Sequence, residues 1–259
     1  ARAEQFVRRG LTAPEATTHW LSLAQFFAGH FEKARATAAG SIVHYFDVGQ
    51  RREAAYSIVI LGQCRQHLGD YQAARVNAQE GLDLAESVAF SRGVGMGLGL
   101  LGAVALAEAN YNDACTRCEA SQAVWQQSSG HPSEFEGELA CLALGARGLG
   151  QHCEAREYLR AQLDWAQERR MLMPALFGLV AAARLLADLG EIERAVEVYA
   201  LAAQNPFVAN SHWFGAVAGN ALAEAAAPLP SEQVAMLQAR GRARDLDITM
   251  EGLLSELCG

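Results

Sequence analysis

The feature that most constrains this chain is a motif that returns every forty residues. An apolar run meets a small residue, then a polar one, then usually an aromatic, at Gly29-His30-Phe31, Gly69-Asp70-Tyr71, Ala109-Asn110-Tyr111, Gly150-Gln151-His152 and Gly190-Glu191-Ile192, with spacings of 40, 40, 41 and 40. Alanine stands five positions beyond each anchor, at Ala34, Ala74, Ala114, Ala155 and Ala195. A small residue stands seven positions before it, at Ser22, Gly62, Gly102, Ala143 and Ala183. A constant period in this range marks a chain of stacked supersecondary units, none of which buries its apolar face alone.

The units read as helical hairpins. The chain holds 50 alanines and only five isoleucines, a diet that favours helix over sheet. Over 53–68, Tyr56, Val59, Ile60 and Leu68 with the small Gly62 follow a 3.6 period, and Gly69-Asp70 ends that helix. A second helix is expected from Tyr71 to about Val88. Pro14, Pro132 and Pro174 fall near starts of first helices, where a missing N–H is harmless, and Pro206, Pro228 and Pro230 fall between helices.

The fold expected is therefore all-α, an α-solenoid of about six helix-turn-helix repeats spanning 14–257, with residues 1–13 as the tail of a preceding element. Repeat boundaries are expected near 14–50, 51–90, 91–131, 132–171, 172–211 and 212–246, with a capping helix over 247–257. The sixth repeat is looser, with helices expected at 213–227 and 231–246.

Leu61-Gly62, Gly69-Asp70-Tyr71 and Ala74, repeated by Gly102, Tyr111 and Ala114, resemble the tetratricopeptide-repeat signature. The longer period is similar to repeats in the C-terminal regions of large bacterial transcriptional activators that carry a STAND-type ATPase. The stretches 199–211 and 239–246 resemble the ends of such regulators. Repeats four and five depart from the pattern, with His152 and Ile192 at the aromatic position. The resemblance implies a right-handed superhelix, an ATPase domain upstream in the full-length chain, and a sensor or interaction role for this segment.

Composition removes several other functions. The only lysine, Lys33, follows Glu32, so no G-x-x-x-x-G-K phosphate loop exists, and a net charge of −8 disfavours direct nucleic-acid binding. The longest strongly apolar run, 93–107, has 15 residues, short of the roughly 20 that cross a bilayer. Gly97-Leu98-Gly99-Leu100-Leu101-Gly102 spells the dinucleotide fingerprint, but inside an expected helix rather than after a strand. Those glycines indicate close packing or, alternatively, a hinge.

Cys115 and Cys118 lack a second C-x-x-C to complete a zinc site with Cys141, His152 or Cys153, so structural cysteines in a reducing cytoplasm are expected. The carboxylates of Glu134, Glu136 and Glu138 are read as acids at a helix start, with Ser133 as N-cap. No H-E-x-x-H, G-x-S-x-G or nucleophile–base pair is evident. The expectation is a non-enzymatic module without cofactor or metal.

If first helices line a concave groove, as the family resemblance implies, its spacing places His19, Phe26, Phe27, Tyr56, Gln63, Gln66, His67, Met96, Arg147, Arg184 and Asp188 there. One end is aromatic and amide-rich. The other carries two arginines able to pair with carboxylate, so a peptide, a protein partner or a small organic anion fits. The alternatives are a constitutive scaffold or self-association module and an enzyme with a cryptic pocket.

Overall fold

The computed structural model describes residues 16–127 and 137–257, and among these every regular element is helical. Residues 1–13, Pro14 and the expected helix start at Pro132 and Ser133 lie outside the described residues. The first ten helices are α1 (Ala16–Phe27), α2 (Phe31–Asp47), α3 (Arg51–His67), α4 (Tyr71–Ser87), α5 (Ser91–Ala107), α6 (Tyr111–Gln127), α7 (Glu138–Gly148), α8 (His152–Arg169), α9 (Leu172–Asp188) and α10 (Ile192–Ala202).

Eight of these ten helices stop in the same way. Gly29, Gly49, Gly69, Ala89, Ala109, Gly150, Arg170 and Gly190 take positive φ, so a left-handed residue recurs at twenty-residue steps from 29 to 109 and from 150 to 190. At the first turn the Gly29 N–H donates to the Phe26 carbonyl and the His30 N–H to the Gln25 carbonyl, both at 2.9 Å, which caps two otherwise orphaned carbonyls. The Gly69-Asp70 and Gly190-Glu191 turns repeat the pair. The forty-residue period is thus two helix-and-turn units of nearly equal length.

The two small-residue positions of the motif turn out to be one contact. A Cβ on Gly62 would stand 3.3 Å from the carbonyl oxygen of Ala74, and a Cβ on Gly102 would stand 3.2 Å from that of Ala114. The five motif alanines are fully buried. A larger side chain at either position would push first and second helices apart.

Consecutive helices pack on one another, and α1, α3, α5, α7 and α9 also pack each on the next of their own row. Among the described residues α2, α4, α6, α8 and α10 show no comparable packing on one another. The odd-numbered helices therefore form the inner row, an arrangement consistent with an α-solenoid.

After α10 the chain departs from the expected continuation of the stack. Residues 205–214 turn onto the inner row through α11 (Pro206–Ala209) and α12 (His212–Phe214), whose starts are capped by Asn205, accepting from the Phe207 N–H at 2.9 Å, and Ser211, accepting from the Phe214 N–H at 3.2 Å. The run continues through a π-helical turn, Gly215–Gly219, into α13 (Asn220–Ala226).

Helix α14 (Ser231–Arg242) packs on α10, where a Cβ on Gly241 would lie 2.2 Å from the Glu197 carbonyl oxygen. Arg240 and Arg244 close over the buried Glu197 carboxylate, with Arg244 Nε donating at 2.9 Å. The terminal helix α15 (Leu246–Leu257) folds back against α8 and α9, and Arg194 of α10 meets its Glu256 at 2.6 Å.

The glycines at 93–102 lie within α5, preceded by α4 rather than by a strand, which removes the phosphate-cradling geometry the fingerprint needs. Added Cβ atoms would meet Phe90 at 2.6 Å from Gly93, Trp125 at 2.8 Å from Gly95 and Cys118 Sγ at 2.6 Å from Gly102. Close packing accounts for these three. No helix among the described residues is long and apolar enough to cross a membrane.

Candidate functional site

The inner row lines an open-mouthed cavity of about 210 Å³ between α1, α3, α5, α7 and α9, closed on one side by Phe207 of α11. Helical register decides which side chains reach it. On α3, Tyr56 and Gln63 are seven residues apart and Gln66 and His67 follow one turn later, so all four share a face. Met96 and Ala103 have the same separation on α5, Leu23, Phe26 and Phe27 come from α1, and Phe177 comes from α9. Trp20 and Phe27, 64% and 39% exposed, stand at its mouth.

Residues 205–214 hold the roof in place. The Phe207 ring lies 5.4 Å from Phe26, 4.8 Å from His67 and 6.0 Å from Phe177 between centroids, in edge-on and tilted arrangements that suit aromatic quadrupoles. Asn210 Nδ2 donates to the Gly29 carbonyl at 3.2 Å, and Trp213 Nε1 donates to the Ala103 carbonyl at 2.8 Å. His67 stacks on Phe31 at 4.5 Å and meets Ser211 Oγ through Nδ1 at 2.7 Å. Burial without a counter-charge pushes the His67 imidazole down to about 3, so the ring is neutral.

The polar groups in this wall are few and distinctive. Gln63 and Gln66 are 7% and 4% exposed, line the cavity, and have no hydrogen-bond partner among the described residues. Neither amide is among the side-chain polar atoms cut off from water, so both stay open to solvent through the cavity and are available to a ligand. Among the described residues no lysine, arginine, aspartate or glutamate lines the cavity.

Of the groove residues expected from the sequence, Phe26, Phe27, Tyr56, Gln63, Gln66, His67 and Met96 meet at this cavity. His19 lies on α1, and its side chain is outside the described residues. Arg147, Arg184 and Asp188 form a separate cluster. Asp188 accepts from Arg147 Nη2 at 3.1 Å and from Arg184 Nη1 at 2.6 Å, so the pair expected to meet a ligand carboxylate already holds one of the chain's own. Partial burial raises the Asp188 carboxyl, but the hydrogen bonds and charges of the two arginines outweigh it and hold the group below its ordinary value.

Sequence reasoning missed Phe207, Ser211 and Trp213, and it read Glu138 as an ordinary acid at a helix start. The structure corrects the reading of Glu138. It is 6% exposed, accepts from Trp125 Nε1 at 2.9 Å and contacts Ser121 Oγ, which also donates to the Gly95 carbonyl at 2.7 Å. Burial pushes the Glu138 carboxyl up to about 8 against the opposing pull of those hydrogen bonds. The helix-start dipole does not offset removal from water here.

Cys64, Cys118 and Cys141 are buried free thiols, Cys115 is half-buried and Cys153 exposed. Among the described residues no three His, Cys, Asp or Glu side chains are placed to share a metal ion.

Two larger clefts lie apart from the central cavity. One, about 610 Å³ between α10, α13 and α14, is walled mostly by alanine, leucine and valine. The other, about 640 Å³ beside α15, carries Arg194 and Arg156, which bind Glu191, Glu256 and the Glu256 carbonyl. Comparison with known proteins finds no matching family model and no matching curated protein.

Proposed function

We propose that this chain is a non-enzymatic sensor module of tetratricopeptide type, a right-handed solenoid of about six repeats that binds a small organic ligand in its central cavity. The observation that carries this reading is the pair of amides of Gln63 and Gln66, which make no hydrogen bond among the described residues and face the cavity beneath a roof made by the chain's own residues 205–214. A few convergent polar groups on a mostly apolar wall are what a small-molecule pocket offers its ligand.

The signature residues support placing the module in the C-terminal part of a bacterial STAND-type regulator, acting in the cytoplasm beside an upstream ATPase domain. Ligand beneath Phe207 would favour the form in which the roof ties α1 to α9, and an attached domain would read that preference. The energy available is the difference in affinity between the two forms. No nucleic acid, membrane, metal or cofactor is required.

A thermal-shift screen of metabolites and short peptides tests the reading. A compound at 100 times its dissociation constant is expected to stabilise the fold by about 2.7 kcal/mol. No response from any compound would overturn the sensor reading. It would leave the scaffold or self-association reading, which the exposed Val43, Phe46 and Val48 at the end of α2 favour.

A further inference from the structure

We infer that the central cavity takes an uncharged, planar ring compound carrying a carboxamide or lactam edge, with the ring held among Phe26, Phe177 and Phe207 and the polar edge read by Gln63 and Gln66. The inference rests on the sensor reading above and adds the chemical class of the ligand.

Size comes first. A cavity of about 150 Å³ admits a benzene ring, so about 210 Å³ admits a ring with a short substituent or a small fused pair.

The wall then selects for shape and polarity. Phe26, Phe177 and Phe207 present ring edges and faces, and Met96 Sδ supplies an adaptable apolar contact, which together favour a flat apolar body. Gln63 and Gln66 stand one turn apart on α3, and each offers a carbonyl acceptor and an NH₂ donor. Their complement is a group that donates and accepts side by side, as an amide does.

Charge is the exclusion. A carboxylate or ammonium entering this wall would lose its hydration with no ionised side chain among the described residues lining the cavity: Arg147 and Arg184 are bound to Asp188, and Arg92, 5.1 Å from the centre of the Tyr56 ring, is engaged by that tyrosine. His67 does not fill that role. Its ring is neutral, stacked on Phe31 and engaged by Ser211.

Three probes matched in size separate these requirements: benzamide, benzoate and isopropylbenzene, titrated at pH 7 into the 259-residue chain and followed by ligand-observed NMR and thermal unfolding. Benzamide is expected to bind tightest, with benzoate at least about tenfold weaker. In a Gln63→Leu/Gln66→Leu protein, benzamide should weaken about tenfold and isopropylbenzene should become the tightest of the three. The urea midpoint of the double variant, read beside single Gln63→Met and Gln66→Met proteins, checks that the fold is intact.

Benzoate binding as tightly as benzamide, or a benzamide affinity indifferent to both glutamines, would overturn the ligand class while leaving the cavity a binding site. Failure of all three probes, alongside a hit in the broad screen, would likewise sink the class but not the sensor. Failure of both experiments sinks both.

Discussion

His67 Nδ1 and Ser211 Oγ lie 2.7 Å apart, although 144 residues separate them in the chain. The same hydroxyl oxygen accepts from the Phe214 N–H, so it caps α12 while its proton is free to reach the imidazole. One side chain thereby starts the helix that follows the roof and fixes a neutral histidine on the inner row.

The pH dependence of stability follows from His67 and Glu138, which act in opposite senses. His67 falls from its ordinary 6.5 to about 3 in the fold, so the unfolded chain binds the extra proton between those values and stability is lost as pH drops from 6.5. Glu138 rises from 4.5 to about 8, so the folded chain holds the extra proton there and stability is lost as pH climbs from 4.5 to 8. The two slopes cancel between 4.5 and 6.5, giving a plateau flanked by an acid and an alkaline limb. Urea unfolding across pH should show Glu138→Gln flattening the alkaline limb and gaining on the order of a few kcal/mol at pH 8, and His67→Phe flattening the acid limb, with each substitution tilting the plateau in the sense of the group that remains.

Gly29 and Gly49 offer a matched pair. Both sit at φ +72°, so alanine costs each the same left-handed strain, about 1 kcal/mol. A Cβ at Gly29 would also stand 2.5 Å from the Pro206 carbonyl carbon and oxygen, whereas at Gly49 nothing lies within 4 Å. Denaturant melts should show Gly29→Ala losing at least about 2 kcal/mol more than Gly49→Ala. Equal losses would mean that residues 205–214 do not seat on the α1 turn.

The α5 glycines are expected to reverse the usual helix rule. Gly40 in α2 and Gly252 in α15 have open space where a Cβ would go, so alanine there should stabilise by about 0.5–1 kcal/mol. Gly95 and Gly102 face Trp125 and Cys118 at 2.8 and 2.6 Å, so alanine there should destabilise by about 1–3 kcal/mol. Stabilisation at Gly95 and Gly102 without change in binding would show that the helices have room to part, contrary to the close packing described.

What the sequence revealed is what local rules govern. The period, the turn residues and the Gly62–Ala74 type of contact are backbone and short-range properties, so they stand in the order of residues. Register likewise brought Tyr56, Gln63, Gln66 and Met96 to one cavity, because positions seven apart on a helix share a face. The Phe207 roof depends on the chain folding back across most of its length, which no local pattern encodes. Its one signal was Phe207, Trp213 and Phe214 gathered among Asn, Pro and Ser in an alanine-rich chain, a cluster too apolar to leave in water. Glu138 escaped for the same reason: Ser121 and Trp125, which bury it, belong to the preceding helix. Arg147 and Asp188 are a full repeat apart, so only the i, i+4 pairing of Arg184 with Asp188 was written locally.

Phe207→Ala tests whether the roof is a separable part of the fold. The ring meets Phe26, Phe27, Phe31, His67, Phe177 and Phe214, so its removal should cost about 3–5 kcal/mol. The loss is unevenly distributed, because none of the rings that meet Phe207 belongs to α5 or α6, which pack on each other through Gly102 and Cys118. Native-state hydrogen exchange should therefore speed up at residues 205–214 and at the Gly29 turn while α5 and α6 keep their protection relative to global unfolding. Water reaching the imidazole should also lift His67 from about 3 toward 6.5, readable by NMR titration of its ring protons. If exchange quickens uniformly along the chain and His67 stays unprotonated, the roof is part of one cooperative unit, and a ligand beneath it could not act through its closure alone.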